Sequence, residues 1–287
     1  MEVGVVGAGR VGTAVAVLLQ RAGHEIVAVS GREATRSRAA SYLPGVPVVD
    51  AVEVASGAEL VVIGVPDDLI SGTVGGIAST GGFRTGQWVA YLSGASRLEV
   101  LDAARRAGAA RLAIHPLQTV PDVDGALERI PGSTIAVTAD DDAGFELAEE
   151  LARDLQGEPF RLADELRPLY HAAAVFASNH MVTDAAIAER LFEAAGLADP
   201  VRAMLPLQRA TLENIARLGP GDALTGPAVR GDAGTISMNL KALAQVAPAA
   251  VPVYVAMAMA ALDVATDSGR LPEDGRAAVL EVLERWR

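Results

Sequence analysis

The run Glu-Val-Gly-Val-Val-Gly-Ala-Gly-Arg-Val-Gly at Glu2–Gly12 constrains the fold of this chain more than any other stretch. Val3, Val5 and Val6 read as a buried strand, Gly7-x-Gly9-x-x-Gly12 as the turn that leaves it, and Val11 to Ala22 as an apolar helix closed by Gly23. A second buried strand follows over Glu25–Arg32. Each glycine has a mechanical reason. Gly7 allows the tight turn, Gly9 lets a pyrophosphate approach the backbone, and Gly12 lets the helix pack on the sheet, while the free amides at the helix start face the anion. Strand, turn, helix and strand in this order make the first half of a dinucleotide-binding unit, in which Gly7, Ala8, Gly9, Arg10, Val11 and Gly12 are the expected cofactor contacts.

The group that holds the adenine ribose comes about 20 residues after such a motif, and an NAD-selective site places Asp or Glu there. This chain has Ser30-Gly31-Arg32 instead. A small hydroxyl and an arginine suit a 2′-phosphate, so NADP(H) is expected ahead of NAD(H), with a solvated loop charge as the competing reading of Arg32.

At 287 residues the chain exceeds one ordinary domain, and two are expected. The absence of cysteine excludes disulfides, thiolate nucleophiles and cysteine-ligated metals. A formal charge of −12 argues against nucleic acid as a partner. The start lacks a basic leader and a cleavage site, and no uninterrupted apolar run reaches about 18 residues, so a cytoplasmic protein with no membrane span is expected.

Up to about Ala163 strands and helices alternate, which argues a mostly parallel, doubly wound α/β sheet over residues 1–163. After Glu25–Arg32 come a short helix at Glu33–Tyr42, a third short strand at Val46–Val49 and a helical turn at Asp50–Gly57. Leu60–Pro66 is a strong buried strand, with Asp67-Asp68 placed to cap a helix. The backbone from Gly64 through Val65 and Pro66 to Asp68 is a further candidate cofactor contact. Further strands are expected at Trp88–Ser93, Arg111–Leu117, Ser133–Thr138 and Gly157–Leu162, and helices at Arg97–Ala107 and Ala143–Leu155. Ligands of open α/β sheets bind at the carboxyl ends of strands, and Ser93 and His115 both occupy such ends. Residues 164–287 hold no convincing strand and read as an all-helical domain, with helices near Glu165–Ala195, Val201–Leu218, Thr235–Val246, Val251–Ser268 and Glu273–Trp286.

The first of these helices carries Tyr170-His171 and Ser178-Asn179-His180. At 3.6 residues per turn His171 and Ser178 fall roughly 20° apart on one stripe. Buried polar groups on such a stripe need partners, which either a substrate or a neighbouring polypeptide surface would supply. The loop Leu224–Ile236 is the other dense constellation. Asp232 or Thr235 can cap the following helix, while Arg230 can either pair bidentately with a substrate carboxylate or form an ion pair with Asp232. Hydride chemistry also needs a proton source. His115 and His171 titrate near neutrality and are the candidates, with Lys241, the single lysine, a third.

These motifs together resemble the bacterial proteins described as Rossmann-like with a C-terminal domain of unknown function, family 2520. The resemblance rests on Gly7–Gly12, His115-Pro116, Tyr170-His171 with Ser178-Asn179-His180, and Gly226-Pro227 with Arg230-Gly231-Asp232 and Thr235, and it spans nearly the whole chain. It implies kinship with pyrroline-5-carboxylate reductase, ketopantoate reductase, 3-hydroxyisobutyrate dehydrogenase and prephenate dehydrogenase, which place substrate between a nucleotide domain and a helical domain, commonly as dimers. Gly234-Thr235-Ile236 looks like the Gly-Thr-Thr helix start of the pyrroline-5-carboxylate reductases, where threonine binds substrate. His115-Pro116 is similar to the His-Pro of prephenate dehydrogenases, where histidine is catalytic. Ketopantoate reductases and hydroxyisobutyrate dehydrogenases use a lysine one turn before an asparagine. Aligning that asparagine with Asn179 puts Val175 at the lysine position.

The resemblance implies an NADPH-dependent reductase of a small carboxylate-bearing ketone or imine, with a short 2-keto acid, as in ketopantoate reduction, first. Ser178, Asn179, Arg230 and Thr235 would bind substrate, and His171, His115 or Lys241 would supply the proton. A homodimer is expected. The rival expectation is a non-catalytic NADP(H)-binding sensor or interaction protein.

Overall fold

A computed structural model describes residues 1–287, the side chain of Glu273 excepted. Two compact units divide the chain, Met1–Asn179 and His180–Arg287.

The first unit is built on a seven-stranded sheet. In chain order its elements are β1 (Glu2–Val6), α1 (Arg10–Arg21), β2 (Glu25–Ser30), α2 (Glu33–Tyr42), α3 (Ala51–Gly57), β3 (Leu60–Ile63), α4 (Asp67–Ser79), β4 (Trp88–Tyr91), α5 (Asp102–Arg106), β5 (Ala110–Pro116), α6 (Val123–Arg129), β6 (Thr134–Ala139), α7 (Asp142–Asp154), β7 (Glu158–Arg161) and α8 (Arg167–Ala174). The strand order is β2-β1-β3-β4-β5-β6-β7, and every pairing is parallel except β5 with β6. The doubly wound sheet of the sequence reading is therefore present.

The strands at the centre are apolar throughout because helices cover both faces of the sheet. Val3 and Val5 pack with Leu18 and Leu19 of α1 and with Ala148 and Leu151 of α7 on one face. Val61, Ile63 and Val89 pack with Ile70, Val74 and Ile77 of α4 on the other. Aspartates start several of the helices: Asp50 accepts hydrogen bonds from Val52 and Glu53 amides, Asp122 from Gly125 and Asp141 from Gly144. Each satisfies donors that the first helical turn leaves over.

Three local expectations change. The stretch expected as a strand at Val46–Val49 makes one isolated bridge, Val29 with Val48, because Pro44 and Pro47 interrupt a ladder there. Helix α6 falls in a stretch with no clear apolar period, started by Asp122. Asp67 and Asp68 lie inside the first turn of α4, whose cap position is Pro66.

After α8 the chain makes a π-helical turn at Val175–Asn179. The wider turn removes the 3.6-residue spacing on which a common stripe for His171 and Ser178 depended. The division between units falls within this long helical run, whose first residue, Arg167, is wholly buried and belongs to the first unit.

The second unit comprises α9 (His180–Ala194), α10 (Pro200–Ala223), α11 (Ala233–Val246), α12 (Val251–Asp267) and α13 (Glu273–Glu284). Helix α10 kinks at Gly219, whose φ of 76° precedes Pro220. Its core joins Ile236, Leu240 and Leu243 to Val255, Leu262, Val279 and Leu283. A 3₁₀ turn at Pro248–Ala250 extends α12, so Pro248–Asp267 is long and apolar enough, by length and composition, to cross a membrane. One face of it, with Val251, Val255, Leu262 and Ala265, is buried in this unit.

Candidate functional site

The turn from β1 into α1 shows why each glycine is needed. Gly7 has a φ of 87°, and a Cβ on it would lie 2.6 Å from Val65 Cγ1. A Cβ on Gly12 would stand 2.7 Å from the Gly7 carbonyl oxygen, and one on Gly64 2.8 Å from the same atom. Gly9 differs: a Cβ there would meet nothing closer than that oxygen at 3.9 Å. The space beside Gly9 is open, and α1 begins with no side-chain cap and no acidic residue in its first turn. Unsatisfied amides facing open space fit an anionic pyrophosphate. A cavity of about 410 Å³ lies here, lined by Gly9, Arg10, Val11, Gly64, Val65, Pro66, Asp67, Leu92, Ser93 and Val120. Of the residues chosen from sequence, Gly9, Arg10, Val11, Val65, Pro66 and Ser93 line that wall, and Gly7, Ala8 and Gly12 form the turn beneath it.

At the end of β2 the Ser30 carbonyl accepts from the Gly7 and Ala8 amides. Ser30 is buried, so its exposed neighbour Arg32 is the group there that can meet a 2′-phosphate. Gly31 sits against Thr35, where a Cβ would collide with the hydroxyl. Arg38 escaped the sequence reading. Its Nη1 donates to the Ala8 carbonyl at 2.8 Å and places a second cation on the glycine turn. Its position one turn into α2, facing back to the motif, was the available signal.

A polar cluster continues from the cavity wall. Ser93 Oγ donates to Asp67 Oδ2 at 2.6 Å, stands 3.0 Å from Ser96 Oγ, and accepts the Ala95 and Ser96 amides. Gly94 packs flat against His115, since a Cβ there would lie 2.8 Å from ring atoms. His115 Nδ1 lies 3.1 Å from the Tyr170 hydroxyl, with the rings edge to face at 5.6 Å. Burial, then the Arg167 charge and His171, push the His115 imidazole down to about 4. His115 is therefore neutral at pH 7 and is not an imidazolium acid. Tyr170 is raised above the ordinary phenol range by burial and drawn back by Arg167. Among the described residues the buried Nδ1 of His171 finds no hydrogen-bond partner.

The low proton affinity of His115 has a stability consequence. Unfolded, the ring titrates at about 6.5, so between pH 6.5 and about 4 the unfolded chain binds a proton that the folded chain refuses. Stability contributed at neutral pH is lost as pH falls through that window, by about 3 kcal/mol in all. Urea unfolding at pH 7 and pH 4.5 should show the gap between the two shrink by about 2 kcal/mol in His115→Asn. An unchanged gap would place the acid sensitivity elsewhere.

The remaining sequence candidates divide between the units. Ser178 and Asn179 lie in the π turn that ends the first unit. Arg230, Thr235 and Lys241 belong to the second. Asp232 caps α11 with both oxygens, accepting the Thr235 amide at 2.9 Å and the Thr235 hydroxyl at 2.7 Å. Arg230 stands 4.0 Å from that carboxylate and is 64% exposed, so its guanidinium is open to another anion. Lys241 is exposed on α11.

A nucleotide-binding Rossmann unit followed by a helical unit is the class that this architecture defines. A Rossmann-like domain model matches residues 1–116, and a model for a domain of unknown function, DUF2520, matches residues 133–261. The two matches are to the domains that the sequence motifs resembled, the first on the strand-rich part of the chain and the second running into its helical part. No curated protein matches it. Among solved structures it is similar to a protein from Bacteroides fragilis assigned as an NADP oxidoreductase, at 25% identity and a TM-score of 0.75, covering 91% of this chain and 98% of that one. A Thermotoga maritima protein gives 22% identity and a TM-score of 0.70 over 93% and 100%. An imine reductase from Myxococcus stipitatus in complex with NADP+ shares the fold at 17% identity, with a TM-score of 0.67 over 100% and 99%.

Proposed function

We propose that this protein uses NADPH to reduce a small carboxylate-bearing ketone or imine, with a short 2-keto acid such as ketopantoate as the first candidate. The protein is an NAD(P)-dependent oxidoreductase, in keeping with the NADP-linked oxidoreductases whose structures it resembles. The observation that carries the reading is the uncapped, open-sided start of α1 on a cavity whose wall reaches Ser93, one residue from the glycine against His115.

The Arg10 and Val11 amides would hold the pyrophosphate at the start of α1, Gly9 would leave room for it, and Arg32 with Arg38 would meet the 2′-phosphate. Bound NADPH supplies the hydride. As the carbon accepts it, the C=O or C=N electron pair moves to oxygen or nitrogen, which takes a proton. Tyr170 gives that proton. In the Nδ1–H tautomer His115 donates to the phenol oxygen, which leaves the phenol O–H for substrate and supports the tyrosinate that remains. This replaces His115 as the acid, and His171, with its unpartnered Nδ1, receives the substrate's polar group. Arg230 is the candidate for the substrate carboxylate, and Ser178, Asn179 and Thr235 are the further substrate-binding candidates. The protein acts as a cytoplasmic homodimer through the second unit, where Leu207, Met238 and Val246 are at least 60% exposed.

The test is NADPH consumption against a panel of 2-keto acids, ketopantoate and cyclic imines including pyrroline-5-carboxylate. Turnover of one class is expected. Tight NADPH binding with no turnover would leave a nucleotide-binding protein without reductase activity. In Arg32→Ala, NADPH affinity should fall about 10- to 100-fold while NADH affinity holds, as loss of a charged hydrogen bond predicts. Equal changes for both nucleotides would remove Arg32 from the 2′-phosphate.

A further inference from the structure

We propose that Arg167 is the positioning residue of this site: its buried guanidinium clamps the Ser93–Ser96 loop at the end of β4, the loop that packs on His115. The inference rests on the reductase reading for its catalytic meaning, while its structural part stands apart from it.

Arg167 is 0% exposed, and its donors go to neutral groups. Nε donates to the Ser96 carbonyl at 2.6 Å, Nη2 to the Ser93 carbonyl, and Nη1 to Thr138 Oγ1 at 2.9 Å. Thr138 in turn donates to the Leu162 carbonyl, and Tyr91, whose hydroxyl donates to Ser96 O, lies under the guanidinium at 5.3 Å. No carboxylate forms an ion pair with Arg167 among the described residues, in contrast to buried Arg111, which Asp102 and Asp140 neutralise. A buried cation without a counter-ion is costly, and a protein core rarely keeps one for packing alone. A planar fork reaching two carbonyls three residues apart fixes the loop between them, and only arginine offers that geometry.

That loop carries Ser93 on the nucleotide cavity and Gly94 on the His115 ring. Arg167 also stands one helical turn before Tyr170 on α8. Its charge disfavours a proton on His115 and favours release of one from Tyr170. The charged and titratable groups acting on the pair are Arg167 and His171 from α8; Asp164 and Asp67 act on the guanidinium from the chain before α8 and from α4. The clamp and the charge thus act on the same few atoms.

The experiment uses the full chain with ¹³C-labelled histidine, followed by NMR across pH. In Arg167→Met the His115 titration midpoint should rise by at least about one unit, as removal of a nearby buried cation requires. In Arg167→Lys, which keeps charge but not the fork, the midpoint should stay low while hydrogen exchange of the Ala95 and Ser96 amides quickens at least about tenfold. These readouts need no substrate, so they survive failure of the reductase reading. Given a turning-over substrate, Arg167→Lys should lower kcat at least about tenfold with KM nearly unchanged. Should Arg167→Met not fold, the lysine variant carries the test. A fall in Tm in either variant with the His115 midpoint and loop exchange both unchanged would reduce Arg167 to a packing residue and overturn the proposal.

Discussion

Tyr170→Phe is expected to lower kcat by about 10²- to 10⁴-fold, the range of a positioned general acid, with the NADPH dissociation constant and substrate KM within about threefold of wild type. The substitution removes one oxygen. The ring keeps its edge-to-face packing on His115 at 5.6 Å, and the phenol is half-buried, so folding changes little. The pH profile supplies a second check. Because His115 is held down to about 4, its own protonation contributes no step to kcat near pH 6.5. Activity should decline on the alkaline side, where Tyr170 loses its proton above the ordinary phenol range. A phenylalanine variant with kcat within threefold of wild type would remove Tyr170 from the chemistry and pass the role to His171.

This assignment also shows where sequence reasoning ends. Glycine spacing, strand-helix alternation and the switch to an all-helical second half are local patterns, and residues chosen from them come together in space: Gly9, Arg10, Val11, Val65, Pro66 and Ser93 all line one cavity. The residues that set the proton chemistry depend on contacts between distant positions. Arg167 meets Ser93, Ser96 and Thr138, which are 74, 71 and 29 residues away, and an arginine followed by proline at a helix start gives no sign of that. Tyr170 and His115 were each visible in motifs, but their partnership spans 55 residues. The π turn at Val175–Asn179 broke a stripe that assumed uniform helix geometry, and no residue type there announces it. Asp232 illustrates the opposite case. Capping by a residue three positions before Thr235 is a local matter, and the cap forms as the spacing predicts.

Gly9→Ala and Gly12→Val should separate the two reasons for glycine in one turn. In Gly12→Val the new side chain meets the Gly7 carbonyl oxygen at 2.7 Å and Val5 Cγ1 at 3.4 Å, and the oxygen is main chain that cannot step aside. Forcing α1 from the sheet costs about 3 kcal/mol or more, a fall in Tm of roughly 6–12 °C, and takes NADPH affinity down by at least about 100-fold with it. Gly9→Ala is a different experiment. Its Cβ would sit 3.9 Å from the nearest neighbouring atom, and φ −72°, ψ −156° is extended backbone open to alanine, so the folded chain alone tolerates it. Tm should stay within about 2 °C, while the methyl group occupies the space in which a pyrophosphate would lie and lowers NADPH affinity by at least about tenfold. Calorimetric titration with NADPH, paired with thermal melts of the two variants, makes the comparison. Unchanged affinity in Gly9→Ala would mean that no nucleotide lies over this turn, and the cavity beside it would then need another occupant.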